Sequence, residues 1–252
     1  MAIYDGFAAL YAHGPYPRYS RRMAEAMPTV LKRLGAAPRT LLDVACGEGT
    51  FAVAMAQGGL AVTGIDQSAR MLECARQRAR EAEAEVDFVQ ADMRSPGLAG
   101  RFDLVTCWYD SLNYLLTSAD LRAAFREISG LLSPQGLFIF DMNTICGLAV
   151  LWKSHPYCII QDGDDIFDVH ANSYDHETGI ATKRIVGFVR RGDAWIRIEE
   201  EHIERGHSLA EIRACLAAAG LREIACWGSI ETMTEPGPDA GRVWLVAKPA
   251  DI

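Results

Sequence analysis

The sequence predicts an α/β fold: a parallel sheet covered by helices on both faces, with an antiparallel β insertion late in the chain. Three observations predict it. Between residues 40 and 141, short apolar runs alternate with amphipathic helical stretches, the pattern of a sheet buried on both sides. A glycine-rich turn, Cys46-Gly47-Glu48-Gly49, joins the first apolar run to the first helix of that series. Residues 146–206 then change to strand-like alternation, with hairpin signals at Asp162-Gly163-Asp164 and Arg191-Gly192-Asp193.

Taken in order, residues 1–34 read as helical. Tyr4, Phe7, Ala8 and Tyr11 share one face at helical spacing, and Gly14-Pro15 breaks that piece. A second helix covers 17–34, and Pro28 is expected to kink or restart it. Residues 41–45 form the first strand, and a helix opens at Thr50 after the glycine turn. Residues 60–65 are the second strand, ending at Asp66. Ser68 is a good N-cap for a helix over 69–81. Residues 85–90 are the third strand and 102–108 the fourth. Thr117-x-x-Asp120 resembles a capping box for a helix to about Leu132. Ser133-Pro134-Gln135-Gly136 reads as a turn before the fifth strand, 137–141. No helix is expected within 146–206, where 182–190 should pair with 194–200. Ser208-x-x-Glu211 caps a helix ending at Gly220, and strands 221–227 and 242–247 follow, separated by a loop over 231–239.

The 252-residue chain is 50% hydrophobic, enough for a sizeable core, and its formal net charge is −8. No basic patch interleaved with aromatics is present, which argues against a nucleic-acid partner. The opening MAIYDGFAALYAHG has neither a charged lead nor an apolar run and does not read as a signal peptide. No apolar stretch reaches membrane-spanning length. The 7 cysteines are scattered without a CxxC pair, so neither a metal cluster nor a disulfide framework is indicated. The expectation is a cytoplasmic protein without membrane contact.

Chemistry gathers at the carboxyl ends of the strands. Glycines at 47 and 49 allow positive φ and a close ligand, and the following helix start offers unpaired N–H groups. Asp43, Asp66 and Asp92 fall at the ends of three successive strands. An Asp after the second strand can accept both ribose hydroxyls of an adenosine, and one after the third can accept the exocyclic amine of adenine. A nicotinamide-dependent oxidoreductase is the rival reading, because Gly47-x-Gly49-x-x-Ala52 with Asp66 further on also satisfies the dinucleotide fingerprint. Glu48, Asp43 and Asp92 oppose it, since they add negative charge around an anionic ligand. A non-catalytic binding protein is a third reading.

The runs LLDVACGEGT, VTGIDQS, VQADM and FDLVTCWYDSLNYL resemble class I S-adenosylmethionine-dependent methyltransferases, over roughly residues 38–145. The resemblance implies a Rossmann-like sheet, S-adenosyl-L-methionine as cofactor, and methyl transfer to nitrogen or oxygen of a small molecule. It sets Gly47 and Gly49 along the methionine part, with Ala45 and Glu48 in the same turn. It sets Asp66 on the ribose hydroxyls, Gln67 and Met71 beside the adenine, and Asp92 and Met93 at the adenine edge. Cys107 and Trp108 fall where cofactor meets acceptor. Ala45 departs from the family pattern, which usually has glycine there. The Tyr4-Asp5-x-Phe7-Ala8 start, the Tyr16-x-x-Tyr19 pair and the β insertion resemble the small-molecule branch, which includes glycine N-methyltransferase-like and natural-product enzymes. In that branch amino-terminal tyrosines, here Tyr11, Tyr16 and Tyr19, help cover the cofactor.

The implied organisation is a helical arm or lid over 1–37, a cofactor-binding domain over 38–145 and 207–252, and a substrate cap over 146–206. Methyl transfer is an in-line displacement, so the protein mainly aligns the partners and excludes water. Tyr11, Tyr109, Asn113 and Tyr114 are the candidate catalytic groups over the methyl. His155, His170 and Trp195 are lid candidates, and no metal is expected. Asp162, Asp164, Asp165, Asp168, Asp175 and Glu177 in the insertion favour a cationic amine over an acid. Exposed strands there also allow a homodimer.

Overall fold

The computed structural model describes residues 3, 4, 6–152 and 154–250. Asp5 of the amino-terminal motif lies outside them. Strand β1 (Thr40–Val44) is central in a seven-stranded sheet because Leu41, Leu42 and Val44 are apolar and buried on both faces. β2 (Ala61–Asp66) flanks it in parallel on one side, with β3 (Val86–Gln90) beyond. β4 (Phe102–Cys107) flanks it on the other, followed by β5 (Leu132–Asn143). Two antiparallel strands, β10 (Leu221–Trp227) and β11 (Arg242–Pro249), complete the order β3-β2-β1-β4-β5-β11-β10. The order reverses between β1 and β4, and an open α/β sheet leaves a ligand crevice at such a point.

Successive strand residues face opposite ways, so Leu41 and Leu42 serve different cores. Leu41 packs with Met23 and Met27 of α2 (Pro17–Leu34), Phe51 of α3 (Thr50–Gln57) and Leu72 of α4 (Ala69–Glu81). Leu42 packs with Phe125 and Ile128 of α5 (Ser118–Leu131) and Ile212 of α6 (Leu209–Ala218). The side chains of Ser68, Thr117 and Ser208 each accept the capping N–H expected of them. Helix α2 continues through Pro28. The 133–136 turn is absorbed into β5 as a break in register against β4.

A four-stranded antiparallel sheet follows: β6 (Tyr157–Asp162), β7 (Ile166–Asp175), β8 (Ile180–Arg191) and β9 (Ala194–Arg205), in that order. Both hairpins fall where the turn chemistry put them, with Gly192 at φ 62°. The insertion is not free of helix. A π-helical turn covers Gly147–Trp152, started by the hydroxyl of Thr144, which accepts the N–H of Gly147. Six residues are too few to show a helical period. The amino-terminal helix α1 (Ala8–His13) and its flanks bridge the two sheets. Phe7, Leu10, Tyr11 and Tyr16 pack with Met71 of α4 and Ile185 of β8. No helix among the described residues is long and apolar enough to cross a membrane.

Candidate active site

After β1 the chain turns through Ala45, Gly47 and Gly49, with φ values of 55°, 56° and 80°. A Cβ on Gly49 would stand 2.9 Å from the Cβ of Ala75, so glycine there lets the start of α3 pack on α4. Gly47 is different: nothing lies within 4 Å of a Cβ built on it, so its face is open to a ligand. Asp66 closes the turn. Its Oδ2 accepts the N–H of Gly47 at 2.9 Å and its Oδ1 that of Ser68 at 2.9 Å.

Above this edge lies a cavity. Among the residues expected from the sequence, Tyr11, Ala45, Gly47, Glu48, Asp66, Gln67, Met71, Met93, Trp108, Tyr109 and Tyr114 line it. Tyr4, Ser20, Asp43 and Phe51 line it as well. Other expected residues are engaged elsewhere. Asp92 turns to Arg94, whose guanidinium and backbone N–H hold its carboxyl below the usual range. Cys107 is buried in the core beneath. Tyr16 donates to Asp168 and meets His170 Nε2 at 2.9 Å. Tyr19 stacks on Tyr109, ring centroids 4.5 Å apart. The amide of Asn113 donates to the carbonyls of Asn143 and Arg205 at 3.0 and 2.8 Å, tying β5 to β9.

The cavity is acidic. Burial pushes the Asp43 carboxyl up to about 8 despite a 2.8 Å hydrogen bond from Thr106, and Asp66 and Glu48 push it the same way. Glu48 is buried, accepts from Thr50 at 2.8 Å and pairs with Arg78. Among the described residues, none hydrogen-bonds the buried indole N–H of Trp108.

A second, smaller cavity shares Tyr4, Tyr11, Tyr109 and Tyr114 with the first. Its other walls include Asp110, His170, Lys183, His202 and Glu204. Burial pushes the Glu204 carboxyl up, and the nearby Asp110 adds to it. Asn143 Nδ2 bridges these carboxylates, 2.7 Å from Asp110 Oδ2 and 3.1 Å from Glu204 Oε2. Of the insertion's acidic residues, Asp168 is wholly buried while Asp162, Asp164, Asp165, Asp175 and Glu177 are solvated. His155 is exposed, and Trp195 is 47% exposed on the outer hairpin.

The residues missed from sequence are Asp110, Glu200, His202, Glu204 and Arg242. One local signal existed. Glu200, His202 and Glu204 recur at period two in a strand, and a single inward face collects all three.

A family model described as a methyltransferase domain matches residues 41–136. The chain is 36% identical over 167 residues to a ubiquinone biosynthesis O-methyltransferase of Pseudomonas aeruginosa (strain LESB58), covering 62% of this chain and 70% of that one. The chain belongs to the S-adenosylmethionine-dependent methyltransferase family. It is also 29% identical over 251 residues to a putative methyltransferase, YqeM, of Bacillus subtilis (strain 168), spanning 98% of this chain and 97% of that one. An S-adenosylmethionine-dependent methyltransferase from Clostridium acetobutylicum ATCC 824 shares the fold, with a TM-score of 0.83 at 24% identity over 99% of this chain and 100% of that one. The protein is therefore a methyltransferase enzyme with a Rossmann-like sheet, and the oxidoreductase and non-catalytic readings give way. The cavity fits S-adenosyl-L-methionine. Its carboxylates suit a sulfonium and an ammonium, and the open face of Gly47 leaves room for a ligand against the backbone.

Proposed function

We propose that this methyltransferase moves a methyl group to the amine nitrogen of a small molecule whose head enters the second cavity. The observation that carries the reading is the buried pair Asp110 and Glu204 on its wall. Arg242 already partners Asp110, while Glu204 is pushed up by burial, so an ammonium entering beside them favours the ionised form of Glu204 against Lys183 on the same wall. The cavity is ≈ 40 Å³, about three water-sized spheres, so it takes a compact head group and no polymer. S-adenosyl-L-methionine supplies an electrophilic methyl on a sulfonium sulfur. In this reading Asp66 holds the ribose hydroxyls, and Gln67, Met71 and Met93 surround the adenine. Gly47, Glu48 and Trp108 take the methionine end. Tyr11, Tyr109 and Tyr114 stand between cofactor and acceptor, with Tyr16 and Tyr19 backing them. The arm over 1–37 acts as the lid and 146–206 as the cap.

A hydroxyl acceptor is the second reading, favoured by the name of the Pseudomonas aeruginosa relative. Release of S-adenosylhomocysteine decides between them. The panel pairs glycine, ethanolamine and 3-amino-3-deoxyglucose with glycolate, ethylene glycol, glucose and catechol. Turnover of amines supports the first reading, and turnover of hydroxyls alone supports the second. Turnover confined to nucleic acid or protein overturns both. The proposal extends to a cytoplasmic enzyme of natural-product biosynthesis. It also includes a homodimer through the cap, where Tyr157 and Ile159 of β6 are exposed; gel filtration reads the last point.

A further inference from the structure

A chain of polar side chains leads out of the second cavity. Tyr4 Oη lies 2.9 Å from Tyr114 Oη, and Tyr114 Oη lies 2.8 Å from Nδ1 of His202. Nε2 of His202 faces Glu200 Oε2 at 3.2 Å, an ion-pair approach whose alignment falls short of a hydrogen bond. His202 is 1% exposed, while the Glu200 side chain reaches the surface at 13%.

We propose that these residues form a proton relay, in which an ammonium acceptor gives a proton through Tyr4 and Tyr114 to His202, held in place by Glu200. The relay rests on the amine reading above. An amine of ordinary basicity arrives as its ammonium, which has no lone pair and cannot attack. Its N–H proton passes to the Tyr4 oxygen, the Tyr4 proton to Tyr114, and the Tyr114 proton to Nδ1 of His202. The nitrogen keeps the electron pair of that N–H bond. With this pair it forms the new N–C bond, while the C–S bond breaks and its pair stays on sulfur. His202 is left as an imidazolium against the Glu200 carboxylate, and the rim of Glu200 is the exit to water.

The surroundings favour this direction. Burial pushes both phenols up, so neither rests as a phenolate. Burial also pushes Glu200 up, but His202 and the N–H groups of Tyr4 and Gly6 outweigh it and hold the carboxyl below its usual range. It is therefore negative when the proton reaches the imidazole. For Nδ1 to accept from Tyr114, the ring proton must sit on Nε2, toward that carboxylate. The other groups facing His202 are Phe7 of the arm, His170 and Lys183 of neighbouring strands, Asp110 below and Glu204 on its own strand.

Two measurements test the relay. Nitrogen–proton correlation spectra of histidine-labelled protein bound to S-adenosylhomocysteine read the tautomer, with the His202 signal assigned by its loss in His202→Gln. A bare Nδ1 is expected, and a proton on Nδ1 overturns the relay. Kinetics use the best amine of the panel. His202→Gln and Tyr114→Phe should each lower kcat about 100-fold, with KM and S-adenosylhomocysteine affinity kept. Glu200→Gln should also lower kcat with the amine, because the relayed proton loses the carboxylate that leads it to water, and O-methylhydroxylamine should relieve that loss. With O-methylhydroxylamine, whose nitrogen is already neutral at assay pH, the deficits of His202→Gln and Tyr114→Phe should disappear. Equal losses on both acceptors, or none on either, overturn the relay. No turnover of any amine overturns the amine reading, and the relay falls with it. Turnover of amines with a proton on Nδ1, or with equal losses on both acceptors, overturns the relay and leaves the amine reading standing.

Discussion

Asp141 accepts the backbone N–H of Tyr109 at 2.7 Å. Its other oxygen takes the N–H of Asp110 at 3.1 Å and pairs with Arg242, which also holds Asp110 at 2.9 Å. Tyr109 and Asp110 have φ of 59° and 56°, a left-handed conformation that costs roughly 1–3 kcal/mol per residue. Asp141 and Arg242 therefore maintain a strained turn, and that turn is the wall between the two cavities.

Removing the cation should be severe. Burial pushes Asp141 up, and Arg242 offsets this only in part. Arg242→Met leaves two buried carboxylates facing each other without their partner. It also removes the guanidinium stacked over Tyr19 and Tyr109 at 5.0 and 5.7 Å. The expected loss is about 3 kcal/mol of stability, read from the urea midpoint, together with weaker cofactor binding. A variant within ~0.5 kcal/mol of the parent would show that the ion pair does not hold the turn.

The parts of this site that were legible in the sequence are local ones. Gly47, Asp66 and the three capping residues act on neighbours within a few positions, so spacing reveals them. Ala45 shows the limit of a motif: the structure gives it the left-handed φ that explains why glycine is usual there. Arg242 could not be read, because its partner Asp110 lies 132 positions away. Asp92 looked like a binding residue by position, but Arg94 two residues on takes its carboxylate. The acidic run of the insertion pointed to carboxylates beside the acceptor, but most of that run is solvated, and the carboxyls on the second cavity are Glu204 and Asp110. Which strand face turns inward decides this, and period two alone does not say which face that is.

Asp66 carries two kinds of contact. Asp66→Ala removes acceptors from the N–H groups of Gly47 and Ser68, which should lower stability by about 1–2 kcal/mol. In the proposed function it also removes the ribose contacts, weakening S-adenosylhomocysteine by roughly 2–4 kcal/mol. Calorimetry on Asp66→Ala and Asp66→Asn separates the two, since Asn keeps a backbone acceptor. Unchanged cofactor affinity in the Ala variant would remove Asp66 from the site.

Glu200 anchors the arm. Its carboxylate accepts the N–H groups of Tyr4, Gly6 and Phe7 at 3.0, 2.8 and 3.1 Å. Cleavage near Gly14-Pro15 should slow when S-adenosylhomocysteine is added, and should quicken in Glu200→Ala with or without it. Identical digestion rates in all four conditions would leave the arm as packing and nothing more.

Asp43 gives the pH dependence its sign. The unfolded carboxyl titrates near 3.9, and burial raises it to about 8 in the folded protein. Between those values the folded state holds a proton that the unfolded state has lost. The linked stability is thus fully present below about pH 4 and is lost as pH rises toward about 8. Asp43→Asn keeps an acceptor for the Thr106 hydroxyl and cannot ionise. The two proteins should be close in stability near pH 4, and the Asn variant should lead by roughly 1–4 kcal/mol at about pH 9. Asp43 lines the cofactor cavity, so the sulfonium of S-adenosylmethionine should favour its ionised form. The extra protection that S-adenosylmethionine gives over S-adenosylhomocysteine should therefore grow from pH 5 to 8 in the parent and stay flat in the variant. Thermal melts across this range, with each ligand, measure both effects. Parallel curves for parent and variant would mean that Asp43 is already ionised in the folded protein and that its burial is compensated by a group other than Thr106.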